Sequence, residues 1–211
     1  MRVAAAADIG GTSTKVGIVA DDGKVMVSAA VPTRRYVEPA SLVDAVVSSL
    51  RPLIDAAKAD NNAISGIGVS VAGFLDSERE AMVHNANLPA LHEYPLRRAF
   101  EERFSLDCRL EVDSNASTLA EYRYGLGRGA ARLLGVTVGT GLGGGVMING
   151  QLLRYTGECA GDLGHIIVDP KGRPCTCGAR GCLEAMVNSA ALSDRAGGRS
   201  VRETIGSARK G

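Results

Sequence analysis

The first half of the chain alternates short apolar runs with turn-forming residues. Residues 3–7 form an unbroken apolar run closed by Asp8, and residues 15–20 and 24–31 are two further β-type runs around Asp21-Asp22-Gly23. That pattern predicts a strand, a glycine turn and a hairpin. Over residues 39–60, Leu42, Val46, Val47, Leu50, Leu53, Ile54 and Ala57 recur at helical spacing, and Pro39 suits a first turn. An apolar strand over 64–71, a turn at Gly73, a helix over 95–104 and a strand over 107–112 follow. Strands alternating with helices predict an α/β layered sheet.

A second unit begins near Asp113, with a helix over 114–124, a strand over 132–138, then a glycine-rich turn and strand over 139–148. It repeats the strand, glycine turn and strand order of the N-terminus, which points to duplicated ancestry rather than a repeat array. The expected lobes are residues 1–113 and 114–211. The last stretch, 193–211, is polar with weak periodicity and is expected to be a frayed end or an interrupted helix.

Composition narrows the function classes. With 211 residues, 45% of them apolar, the chain can bury a sizeable core. A net charge of +1 does not point to a nucleic-acid surface or a membrane patch. The apolar run at 3–7 is shorter than the roughly 7–15 residues of a signal-peptide core. The apolar stretch 133–148 is broken by glycines and does not read as a membrane helix. A cytoplasmic protein is expected. Of five cysteines, Cys175, Cys177 and Cys182 cluster, which suggests metal binding in a reducing compartment rather than disulfides. Cys108 and Cys159 read as small buried apolar side chains.

Four motifs carry candidate chemistry. Asp8-Ile9-Gly10-Gly11-Thr12-Ser13-Thr14-Lys15 directly follows a strand. Its glycines would let backbone N–H groups approach phosphate, and a carboxylate at the strand end can hold Mg²⁺ through water. An ordinary hairpin turn is the alternative. Thr137-Val138-Gly139-Thr140-Gly141-Leu142-Gly143-Gly144-Gly145 repeats the logic and matches neither a dinucleotide fingerprint nor a Walker A loop. Two such turns could clamp a triphosphate. His165, Cys175, Cys177 and Cys182 supply one imidazole and three thiolates, a closed tetrahedral set that suits structural Zn²⁺. Finally, Asp113 stands at a strand-to-helix junction, where a carboxylate can cap the helix.

In this order the four pieces resemble the ROK (repressor, open reading frame, kinase) family of sugar kinases and sugar-responsive repressors. The resemblance runs from Val3 to about Asn188 and is sharpest over residues 157–184, GECAGDLGHIIVDPKGRPCTCGARGCLE. It implies the two-lobed α/β fold of the actin-like and ribonuclease H-like ATPases, with the second lobe incomplete at its C-terminal end. It also implies ATP and Mg²⁺ contacts at Asp8, Gly10, Gly11, Thr12, Lys15, Thr140 and Gly141, with Asp113 as general base. An ordinary aspartate pKa would keep that base ionised without special tuning. The implied sugar pocket comprises Gly73, Asn87, Asp113, Asp162, His165 and Glu184, and the implied structural zinc ligands are His165, Cys175, Cys177 and Cys182. One ring nitrogen of His165 would face zinc and the other a sugar hydroxyl.

The resemblance implies glucokinase-like phosphorylation of a hexose or hexose derivative at the 6-hydroxyl, in a homodimer or larger homo-oligomer. Two positions depart from the glucose pattern, Val112 in place of Asn and Asp162 in place of Glu. Family kinases are longer, so the chain is also expected to be a fragment. A non-catalytic sugar sensor, or a truncated remnant of a ROK protein, is the alternative reading.

Overall fold

A computed structural model describes residues 1–84, 88, 91–154 and 163–208, apart from the side chains of Arg35 and His84. Strands β1 (Arg2–Ile9), β2 (Thr14–Ala20) and β3 (Val25–Val31) form an antiparallel meander. Helix α1 (Pro39–Ala59) then crosses to β4 (Ala63–Val71), which lies parallel to β1 on its other side. After a small hairpin, β5 (Phe74–Leu75) and β6 (Met82–His84), helix α2 (Leu96–Phe104) leads to β7 (Cys108–Val112), parallel to β4. The sheet order is β3-β2-β1-β4-β7.

The apolar periodicity accounts for this layer. Val3, Ala5, Ala7 and Ile9 occupy alternate positions of β1 and are all buried. They meet Leu42, Val43, Val46, Leu50 and Ile54 of α1 in one core that also takes in Leu96, Phe100 and Phe104 of α2. Complete burial of a side chain such as Phe100 contributes about 1.5–3 kcal/mol. Cys108 sits fully buried in this core, and Cys159 lies outside the described residues.

Helix α3 (Asp113–Tyr124) leaves β7 without a linker and packs on a second sheet, β8 (Arg132–Val138), β9 (Leu142–Ile148) and β10 (Gln151–Leu152), ordered β10-β9-β8. The strand, turn, antiparallel strand order of β1 and β2 recurs in β8 and β9. A 3-10 turn at Leu163–His165 precedes an irregular knot, then α4 (Leu183–Val187), α5 (Ser189–Arg195) and α6 (Val201–Ala208). The polar tail is thus an interrupted helix. No described helix is long and apolar enough to cross a membrane.

Candidate active site and metal knot

Strand register builds the floor of the site. Asp8 lies opposite Lys15 on β2 and beside Ser70 on β4, and Ser70 in turn lies beside Glu111 on β7. Register partners share a face, so Lys15, Asp8, Ser70 and Glu111 form a polar row across four strands. The adjacent row, Thr14, Ile9, Val71 and Val112, points the other way and is buried. Ser70 Oγ donates to Asp8 Oδ1 at 2.7 Å, fixing that carboxylate at the strand end. Glu111 Oε2 accepts from Arg79 at 2.8 Å and from Arg154 at 2.6 Å, and its Oε1 accepts from Asn115 Nδ2 at 3.2 Å.

Above this row lies a cleft of about 400 Å³ lined by Asp8, Ser70, Asp113, Ser114, Ser117 and Thr137, among others. Asp113 opens the first turn of α3, and its Oδ1 accepts from its neighbour's backbone, Ser114 N, at 2.7 Å. The residue is exposed to the cleft, yet the protein around its carboxyl desolvates it enough to raise its pKa above the ordinary value. The Ser114 N–H opposes the rise and the charge of Asp8 adds to it. The expectation of an untuned aspartate is therefore corrected.

The glycine-rich run 139–145 divides into two parts with different work. A Cβ at Gly145 would lie 2.6 Å from Thr118 Oγ1, and one at Gly143 would lie 2.8 Å from Ser114 Cβ. Those glycines let α3 settle directly on β9, a demand of packing. The turn proper spans residues 139–141, where Gly139 N donates to Gly141 O at 2.8 Å. The amides of Thr140 and Gly141 donate to nothing among the described residues. At the first turn, Thr12 O accepts from Thr33 N at 3.1 Å, and Gly11 O accepts from Arg34 Nε at 3.4 Å. Gly73, in the turn after β4, has a φ of 114°.

His165, Cys175, Cys177 and Cys182 converge, with all four ligand atoms within 4.8 Å of one another. Cys175 Sγ is 3.5 Å from His165 Nδ1 and Cys177 Sγ is 3.7 Å from Cys182 Sγ. Tetrahedral bonds of about 2.3 Å to sulfur and about 2.0–2.1 Å to nitrogen put ligand atoms roughly 3.5–3.8 Å apart. The donor set suits a tetrahedral metal, and these two pairs already have its spacing. Without a cation the thiols make conflicting demands. Burial and the neighbouring thiols push Cys182 up to about 12, while the Ala179 N–H and the Cys175 thiol lower Cys177. A shared cation resolves the conflict by favouring every thiolate.

The knot's backbone is closely specified. Gly181 N donates to Arg173 O at 2.8 Å, Gly181 O accepts from Val168 N at 2.9 Å, and Cys175 N donates to Ala179 O at 2.8 Å. Glu184 follows on α4, and its Oε2 accepts from Leu142 N at 2.9 Å. Asn87 and Asp162 lie outside the described residues. The structure thus brings Asp8 and Asp113 to one cleft, and Glu184 to the second turn. Sequence reading missed Ser70, Ser117 and Glu111, and took in Thr137 only as the first residue of the second glycine motif. Ser70 was accessible to it, as the polar member of an alternation in which Ile67, Val69 and Val71 turn inward.

The sequence model of the ROK family matches residues 4–207. The chain belongs to the ROK family. It is 33% identical over 185 residues to the glucokinase of Thermotoga maritima, covering 88% of this chain and 57% of that protein. It is also 33% identical over 193 residues to an N-acetylmannosamine kinase of Escherichia coli, covering 92% of this chain and 64% of that one. The chain therefore spans less than two thirds of the length of these relatives. Among solved structures, the ROK family glucokinase of Streptomyces griseus in complex with glucose and AMPPNP superposes with a TM-score of 0.78 at 31% identity, over 91% of this chain and 59% of that one. A ROK family transcriptional regulator, a homolog of the E. coli Mlc protein, superposes with a TM-score of 0.80 at 20% identity, over 92% of this chain and 48% of that one, a likeness of fold alone. The fold is that of the ROK sugar kinases, the actin-like ATPase architecture.

Proposed function

We propose that the chain carries the catalytic cleft of an ATP-dependent kinase for a hexose or hexose derivative, with residues 1–113 and 114–211 as its two lobes. The observation that carries this reading is the shared cleft of Asp8 and Asp113, beside Thr137 at the end of the strand that leads into the second glycine turn. Asp113 accepts the proton of the sugar 6-hydroxyl as its oxygen attacks the γ-phosphorus in line. The bond from that phosphorus to the β,γ-bridging oxygen breaks, and ADP leaves.

Asp8, steadied by Ser70, would hold Mg²⁺ through water, with Lys15 beside it in the polar row. The amides of the turn residues Gly10, Gly11, Thr12, Thr140 and Gly141 would face the phosphate oxygens. Mg²⁺ held at Asp8 would offset the charge of that carboxylate, which otherwise disfavours the ionised form of Asp113. The sugar would be held by Gly73, Asn87, Asp162, His165 and Glu184. His165 Nδ1 lies beside the Cys175 thiol, and Nε2 is on the opposite edge of the ring.

Zinc, held by His165, Cys175, Cys177 and Cys182, would supply a closed structural centre rather than a reacting water. A reduced thiol set of this kind fits a cytoplasmic protein. Relatives named as glucokinases and as N-acetylmannosamine kinases support the substrate class. The test is ADP release over a panel that includes glucose and N-acetylmannosamine, with Asp113→Asn as control. Sugar-dependent ADP release lost in the variant is expected. Sugar binding without phosphoryl transfer would instead favour a sensor.

A further inference from the structure

The metal knot and the second glycine turn are joined by a short arm. Cys182 caps α4, and two residues later Glu184 Oε2 accepts from Leu142 N at 2.9 Å. At the other end of the same arm, Ser189 places two donors on one acceptor, N and Oγ at 2.8 and 2.7 Å from Gly139 O. The turn 139–142 is therefore bracketed at its first and last residues by one structural piece. Fit is close, since a Cβ at Gly141 would lie 2.6 Å from Glu184 Oε2, and one at Gly164 would lie 2.4 Å from Leu142 O.

The arm begins at a metal ligand. Leu183 N donates to Ile166 O at 2.9 Å, next to His165, so two of the four ligands flank its root. Asn188 N donates to Glu184 O at 2.9 Å, and Asn188 Oδ1 accepts from Ala191 N at 2.9 Å, which fixes the bend that delivers Ser189. With Gly139 O and Leu142 N committed to the arm, the amides of Thr140 and Gly141 are the donors left to the turn.

We infer that Ser189 and Glu184 are positioning residues through which metal in the knot orders the turn 139–142. The functional half of this inference, ordering for a phosphate chain, rests on the kinase reading. Ser189 acts through the turn and needs no contact with nucleotide or sugar. Losing its hydroxyl removes one of two donors on the Gly139 carbonyl, and losing the metal releases the root of the arm.

Two measurements on the zinc-loaded chain test it, comparing wild type, Ser189→Ala and Ser189→Thr. Hydrogen exchange at the amides of Gly139 and Leu142, the two in the turn that are hydrogen-bonded, is expected to quicken about tenfold in Ser189→Ala, to be restored by Ser189→Thr, and to quicken likewise in wild type stripped by a chelator. Calorimetry with Mg²⁺ and AMPPNP is expected to show nucleotide affinity weakened about five- to tenfold in Ser189→Ala, with glucose affinity unchanged. Exchange at the turn that ignores both Ser189→Ala and metal removal overturns the inference, as does a parallel loss of both affinities that threonine does not rescue. Wild type that binds no nucleotide refutes the kinase reading, while exchange still decides whether the arm orders the turn.

Discussion

Replacing Gly181 with alanine should open the metal knot, and Gly178→Ala in the same loop supplies the control. Both glycines have left-handed backbone, φ 76° at Gly181 and φ 90° at Gly178. An alanine in that region costs about 1–2 kcal/mol. The two sites differ in their surroundings, since a Cβ at Gly178 meets nothing within 4 Å, whereas one at Gly181 would lie 1.5 Å from Asp169 O. That carbonyl must move, and it accepts from Gly172 N at 2.8 Å while Asp169 N donates to Gly181 O at 3.2 Å. Losing two such bonds adds about 1 kcal/mol each, for a total of about 3–4 kcal/mol at Gly181. Because metal binding and closure of the knot are coupled, these costs appear as lost zinc affinity. Competition against a chromophoric chelator should show about a 5–30-fold loss for Gly178→Ala and about a 100–1000-fold loss for Gly181→Ala, at about 1.4 kcal/mol per decade. Equal losses would refute the reasoning, because the clash with Asp169 would then contribute nothing.

Elemental analysis should find about one zinc per chain in protein kept reduced and free of chelator, and Cys177→Ser should lower that content. Desolvation raises the pKa of Asp113 above 3.8, so the acid limb of kcat/KM should fall above the range of an ordinary aspartate. The linkage sign follows: the folded chain takes up this proton before the unfolded one, so the ionised carboxylate weakens the fold at neutral pH and the cost disappears as pH falls through the folded pKa. Because Asp113 is exposed the effect is screened, so thermal melts should place Asp113→Asn only slightly above wild type at pH 7, with the gap closing in acid. Gly145→Ala should lower stability by about 1–3 kcal/mol by pushing Thr118 and α3 off β9, whereas Gly68→Ala, where a Cβ meets nothing within 4 Å, should raise it by about 0.5–1 kcal/mol. Urea melts separate the two.

What was legible in the sequence is what depends on neighbours in the chain. The apolar run of β1, the apolar stripe of α1 and the Asp21-Asp22-Gly23 turn follow from local composition, periodicity and turn chemistry, and each appears in the structure, with β1 running on to Ile9. The knot was legible because three thiols and an imidazole stand out by donor type and spacing. What escaped depends on pairing between distant segments. Nothing local says that Glu184 will meet Leu142, 42 residues away, or that the glycines of 139–145 divide between a turn and the seat of α3. The hairpin of β5 and β6 and the short helix α4 escaped because two- to five-residue elements carry too little periodicity to register.

Val112 shows how register revises an inference drawn from pattern. The glucose pattern has a polar residue at this place, which suggested a lost sugar contact. In the parallel pairing of β4 with β7, however, Val112 shares its row with Val71, and that row continues through Ile9 into the core, while Glu111 and Ser70 occupy the cleft face. Val112 is 7% exposed and belongs to the N-terminal core. An asparagine there would bring an amide to an apolar boundary, at a cost of about 1–3 kcal/mol if it finds no partner. Val112→Asn should accordingly destabilise the chain in urea melts and leave sugar preference unchanged. A variant that keeps its stability and gains affinity for glucose would show that the side chain reaches over the end of β7 into the cleft, and would restore Val112 as a determinant of specificity.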